Sequence, residues 1–148
     1  MNIPMKIKKL HPDAILPAYA SAGAAGADLY ALADKEGVTV GAGQTVLVHT
    51  GVAVAIPEGY VGLVYARSGM ATKRGLAPAN KVGVIDSDYR GEIMVALHNH
   101  GDAPQTVAAG DRIAQLVIAP IVTAVFEEVE DLDETDRGTG GFGSTGIR

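Results

Sequence analysis

Asn80-Lys81-Val82-Gly83-Val84-Ile85-Asp86-Ser87-Asp88-Tyr89-Arg90-Gly91 is the stretch on which the fold turns. An apolar run of Val82, Val84 and Ile85 leads into Asp86-Ser87-Asp88-Tyr89, and Gly91 hands over to a second apolar run, Ile93 to Leu97. Two β-rich runs joined by Asp, Ser and Gly predict a hairpin or a tight strand connection. On the bend sit two carboxylates, an aromatic ring and an arginine, beside backbone groups that could face a ligand. Taken alone, the stretch reads as a solvated turn, where Asp and Ser are the commonest residues. The rest of the chain shifts that balance.

Working outward, the same pattern repeats. Lys6 to Leu10 makes a first strand, Thr45 to Ile56 a long β-like run broken at Gly51, and Tyr60 to Ala66 another. The runs 82–85, 92–98 and 112–118 follow, separated by polar turns. Short strands at this spacing predict an all-β domain: an antiparallel sandwich, barrel or jelly roll. Ser68 to Gly75 departs from the pattern, with Ser first, helix formers inside, bases late and Gly last, and predicts one short helix.

Composition agrees. The chain of 148 residues has room for one domain of ordinary size. Nineteen glycines and seven prolines against two Phe and no Trp favour turns and strands over long helices. Without Cys there is neither a disulfide framework nor a thiolate metal site, which suits a reducing cytoplasm. Met1 to Leu10 carries Lys6, Lys8 and Lys9 and no long apolar run, so no signal peptide is expected. Ile113 to Phe126 is too short to span a bilayer and holds Gln115 and Pro120.

The net charge of −5 is local. Residues 127–136 hold seven of the 17 acids, leaving residues 1–126 neutral, and the acidic run reads as a solvated linker. Arg67, Lys73, Arg74, Lys81 and Arg90 lie close together in sequence. A neutral body with a basic cluster suits a small polyanion better than a nucleic acid. Residues 137–148 end the chain, and Arg137 to Gly146 has five glycines in ten residues. Such a segment has no core of its own, yet it carries Arg137, Ser144, Thr145 and Phe142. Its literal G-x-G-x-x-G match lacks the strand and helix of a Rossmann unit. Its glycines, hydroxyls and arginine could instead approach phosphate oxygens, although a segment of this kind taken alone reads more readily as a frayed terminus.

Five segments, Ala25 to Ala31, Ala66 to Gly75, Asn80 to Glu92, Gly110 to Val117 and Arg137 to Gly146, resemble in order and spacing the five motifs of the trimeric deoxyuridine triphosphatases (dUTPases). The third and fifth are the most specific. Met70 stands where Leu is usual, and Ala27 where Tyr is common. The resemblance implies a distorted jelly-roll subunit over residues 1–126, a homotrimer with shared active sites, and a C-terminal arm closing over a site. It also implies hydrolysis of dUTP to dUMP and pyrophosphate with Mg²⁺, limiting uracil in DNA and supplying dUMP for dTMP synthesis.

The family's roles carry over as follows. Asp86 becomes the acceptor of the attacking water's proton. Arg67, Ser68, Gly69 and Gln115 would hold phosphates, Arg137, Ser144 and Thr145 the γ-phosphate, and Gly143 would also contact the substrate. Asn80, Gly83, Val84 and Ile85 would pair with uracil, with Met94 behind the base, Tyr89 under the deoxyribose and Phe142 stacked above. Asp28 would reach Mg²⁺ through water, or else cap a turn. His98 and His100 have a metal-binding spacing but no third ligand, and read as surface or interface residues. A dCTP deaminase, similar in fold, is the nearest rival; Gly69 after Arg67-Ser68 and the glycine-rich tail favour the dUTPase. A non-catalytic β-sandwich module is disfavoured by the intact Asp86, Tyr89, Arg137 and Phe142.

Overall fold

The computed structural model describes residues 1–146; Ile147 and Arg148, at the end of the expected 137–148 arm, lie outside the described residues. In chain order the strands are β1 (Lys6–Lys9), β2 (Ala18–Tyr19), β3 (Ala27–Tyr30), β4 (Val38–Val40), β5 (Thr45–His49), β6 (Val52–Ala55) and β7 (Tyr60–Tyr65). One helix, α1 (Ser68–Lys73), follows, then β8 (Leu76–Pro78), β9 (Gly83–Ile85), β10 (Met94–Asn99), β11 (Gln105–Val107) and β12 (Arg112–Pro120). The all-β expectation with a single short helix holds among the described residues.

Every pairing is antiparallel, and the strands form sheets ordered β2-β3-β12-β7-β9, β5-β10-β8, β1-β6 and β11-β4. Each order is open-ended, so no closed barrel is seen among the described residues. Strand β10 shows why these residues extend. Val95, Leu97 and Asn99 alternate inward while Met94, Ala96 and His98 face outward, the period-two pattern of a half-buried strand. Asn99 is buried without penalty: its amide donates to Val40 O and Ala103 O at 3.0 and 2.8 Å, and its Oδ1 accepts from Gly101 N. The core joins Leu29, Val40, Val48, Leu76, Leu97, Val107 and Ile113 from all the larger sheets.

Several expectations are corrected in detail. The decisive stretch is not a hairpin: β9 pairs with β7, whereas β10 pairs with β5 and β8. Asp86 to Gly91 therefore crosses from one sheet to another. The helix stops at Lys73, because Gly75 takes φ +67° and Leu76 starts a strand. The short strands β2, β4, β8 and β11 escape the periodicity because two or three residues are too few to show it. The run 127–136 is exposed and carries no strand or helix.

Candidate active site

The connection between β9 and β10 opens onto a cavity of about 330 Å³. Asn80, Gly83, Val84, Ile85, Asp86, Tyr89 and Met94 line it, so seven residues singled out from sequence meet there. Gly83 packs its backbone on Val64, whose Cβ would lie 3.2 Å from any added methyl. Just before it, Lys81 turns the chain at φ 67°, with Lys81 N donating to Pro78 O. Val84 is 65% exposed and faces outward from the strand.

Asp86 is exposed, and its carboxylate has no hydrogen-bond or ion-pair partner among the described residues. Its carbonyl accepts from Tyr89 N at 3.1 Å, which closes the turn. Tyr89 folds back: its hydroxyl donates to Glu92 O at 2.8 Å. A methyl on Gly91 would stand 2.6 Å from Tyr89 Cζ, so only glycine lets the ring lie there. Arg90 turns away, donating to Ser87 O and Tyr89 O at 2.6 and 3.1 Å.

A second group forms on β3, β7 and β12. Gln115 stands opposite both Asp28 and Tyr65 across the ladder, and its amide donates to Ala66 O at 2.9 Å. Gly26 makes room for it, since an added Cβ would meet Gln115 Oε1 at 2.6 Å. Asp28 is buried in β3 rather than capping a turn, and its Oδ1 lies 2.8 Å from Arg67 Nε. Arg112 Nη1 stands 3.7 Å from the other oxygen. Ser68 and Gly69 begin α1 and are exposed. None of these lines the cavity beside Asp86.

The tail is a third group. Arg137 Nε donates to Gly140 O at 2.6 Å, and Ser144 N to Gly141 O at 2.9 Å. Phe142 is fully exposed at φ 49°, and Gly143, Ser144 and Thr145 are exposed beside it. Among the described residues no hydrogen bond or ion pair joins the side chains on the bend, at the head of α1 and in the tail, and only those on the bend line the cavity.

Arg74 ties α1 to Asp111 Oδ2 at 3.2 Å and to Thr106 O at 2.5 Å. His98 bonds with Thr45 and His100 with Ala71 O, and no cluster of three metal-ligating side chains occurs among the described residues. Tyr60 packs against the core, while Tyr19 and Tyr65 are exposed. No helix among the described residues is long and apolar enough to cross a membrane.

Glu92 is the residue that sequence reasoning passed over. It lines the cavity, and its carboxylate accepts from Gly51 N at 2.8 Å and from His49 Nδ1 at 2.9 and 3.1 Å. Burial pushes its carboxyl up, but hydrogen bonds from His49, Gly51 and the Thr50 backbone, with the charge of His49, outweigh this and hold it below the ordinary value. The signal available was small: a carboxylate opening an apolar strand immediately after Gly91.

The comparisons with known proteins point one way. The dUTPase family model matches residues 12–146. Deoxyuridine 5'-triphosphate nucleotidohydrolase of Syntrophotalea carbinolica is 56% identical over 146 residues, covering 99% of this chain and 99% of that protein. The same-named protein of Desulfitobacterium hafniense is 53% identical over 149 residues, covering 99% and 98%. Staphylococcus bacteriophage 80alpha dUTPase with dUPNHPP has a TM-score of 0.89 at 30% identity, covering 99% of this chain and 100% of that one. A mutant dUTPase from phage phi11 of S. aureus, described for its coordination of a structural Mg(II) ion, has a TM-score of 0.80 at 28% identity, covering 89% and 100%. With a family match across residues 12–146 and relatives sharing more than half their residues from end to end, the chain belongs to the dUTPase family.

Proposed function

We propose that the chain hydrolyses dUTP to dUMP and pyrophosphate, with water attacking the α-phosphorus. The observation that carries this reading is the cavity at the β9–β10 connection, where Asn80, Gly83, Val84, Ile85, Asp86, Tyr89 and Met94 converge. Uracil lies along the backbone from Asn80 to Ile85, whose N–H and C=O groups pair with its edge. Cytosine presents an amino group where uracil has a carbonyl, leaving a group unpaired at a cost of ~1–3 kcal/mol. Met94 backs the base, and a thymine methyl finds no space at the same wall. Tyr89 lies under the deoxyribose and excludes a 2′-hydroxyl.

Asp86 takes the proton of the attacking water, a task that suits an exposed carboxylate with no hydrogen-bond or ion-pair partner among the described residues. Phosphoryl transfer rests on positioning and charge stabilisation. Arg67 is oriented for it by the buried Asp28, with Ser68, the Gly69 amide and Gln115 as further donors. Arg137, Gly143, Ser144 and Thr145 hold the γ-phosphate, and Phe142 covers the uracil. Mg²⁺ would be held mainly by substrate phosphate oxygens and water, which it favours over protein cages, with Asp28 reaching it through water. Asp28 fits that arrangement: the Arg112 guanidinium stands 3.7 Å from its Oδ2, beyond hydrogen-bond distance, so that oxygen could accept from a metal-bound water. When bound, the ion neutralises phosphate charge.

The chain works as a homotrimer of jelly-roll subunits with active sites shared between copies. Support comes from the cavity beside Asp86, whose lining within one chain includes neither the head of α1 nor the tail. Residues 1–126 form the folded body, 127–136 the linker and 137–148 the arm that closes on a site.

Pyrophosphate release measured across the four dNTPs, dUTP and UTP tests the reading. Release from dUTP alone is expected. Turnover of dCTP with ammonia release, or none from dUTP, would overturn it.

A further inference from the structure

Glu92 stands at the far end of the Asp86–Gly91 connection, where the chain enters β10. At this point it is joined to the bend between β5 and β6 from both backbone and side chain. Ile93 N donates to Val52 O at 2.9 Å, and Thr50 Oγ1 donates to Ile93 O at 2.5 Å. The Glu92 carboxylate adds Gly51 N and the His49 ring. Gly51 can aim its N–H there because it takes φ +71°, a conformation any larger residue would strain. Space is tight as well, since an added Cβ would meet Ala14 and Leu32 at 2.8 Å.

The one hydrogen bond the Tyr89 side chain makes among the described residues goes to the carbonyl of this same Glu92. The clasped carboxylate and the carbonyl that receives the Tyr89 hydroxyl thus belong to one residue. We infer that Glu92 is a specificity-positioning residue: its carboxylate, clasped to Gly51 and His49, locks the backbone carbonyl on which Tyr89 docks and so sets discrimination at the 2′ position of the sugar. This rests on the reading of the cavity as the dUTP site. Glu92 does not touch the reacting atoms; it acts through Tyr89.

The test is a double-mutant cycle read as the ratio of kcat/KM for dUTP to that for UTP. Glu92→Ala is expected to lower the ratio about tenfold, the scale of one ordinary hydrogen bond. Tyr89→Phe, which deletes the hydroxyl, should lower it similarly, and the double variant no further than either, because the two act in series. Glu92→Gln keeps an acceptor for Gly51 N and should hold the ratio within about twofold. A purely structural role would lower melting temperature without moving the ratio. An unchanged ratio in Glu92→Ala, or fully additive losses in the double variant, would overturn the inference while dUTP hydrolysis stands. If wild-type protein releases no pyrophosphate from dUTP, the site reading falls and this inference with it. Should Glu92→Ala fail to fold by circular dichroism, His49→Ala removes one exposed partner of the clasp. It should lower the ratio about threefold, and no change would overturn the inference.

Discussion

Arg67 Nε lies 2.8 Å from Oδ1 of Asp28, a carboxylate that is only 6% exposed. An arginine at the edge of a helix would ordinarily be free to sample many rotamers. Here a buried charge on β3 fixes it where β7 gives way to α1.

This pair yields the first prediction. Removing one partner of a buried, hydrogen-bonded charge pair costs more than the pair is worth, because the survivor is left uncompensated. Asp28→Ala should destabilise the protein by about 2–3 kcal/mol in urea denaturation. Arg67→Ala should cost less in the Asp28→Ala background than in the wild type. Additive losses would show that the two side chains do not depend on each other.

Asp86 provides the second prediction. A carboxylate positioned to accept a proton contributes roughly 10²–10⁴-fold in rate. Asp86→Asn keeps size and polarity but cannot act as a base, so kcat should fall by about that factor while nucleotide binding by calorimetry stays near normal. Stability should barely change, given the exposed side chain. Near-normal turnover would remove Asp86 from its role.

The carboxyl of Glu92 gives a pH dependence. Its folded pKa is lowered from 4.5, so near that pH the unfolded chain holds the proton more tightly than the folded one. Stability from this group is therefore fully present above pH 4.5 and is lost as pH falls through the folded value. Glu92→Gln should lose that contribution. Wild type and variant should differ in urea midpoint at pH 7 and converge on acidification, and a gap that widens toward acid would contradict the sign.

How much of this was legible in the sequence depends on how local each signal was. The bend announced itself, because Asp86, Tyr89 and Gly91 sit within a few residues and define a turn by their own chemistry. The destination of β9 and β10 was hidden: a short apolar run does not say which strand it will pair with, and here the two joined different sheets. Asp28 looked as much like a turn cap as a site residue, since only its register against Gln115 and the approach of Arg67 reveal it as a buried pair. The tie that Arg74 makes was hidden for the same reason, because its partners Thr106 and Asp111 lie more than thirty residues away. Glu92 was overlooked because Gly51 and His49, which give it meaning, belong to a bend about forty residues earlier.

The tail carries the last prediction. Phe142 is fully exposed, and no hydrogen bond or ion pair among the described residues ties residues 137–146 to the folded body. The core therefore does not depend on it, and a chain ending at Asp136 should keep its melting temperature within a degree or two. Catalysis should respond quite differently, because the truncated chain lacks Arg137, Ser144 and Thr145, the proposed phosphate donors, and lacks the ring proposed to cover uracil. Pyrophosphate release from dUTP should fall by at least about a hundredfold, in line with losing charge-stabilising donors. Phe142→Ala separates the two contributions. A base–aromatic stack is worth ~1–3 kcal/mol, so this single change should weaken dUTP binding by roughly five- to a hundredfold. Full activity in the truncated chain would mean that the arm does not close over the nucleotide at all.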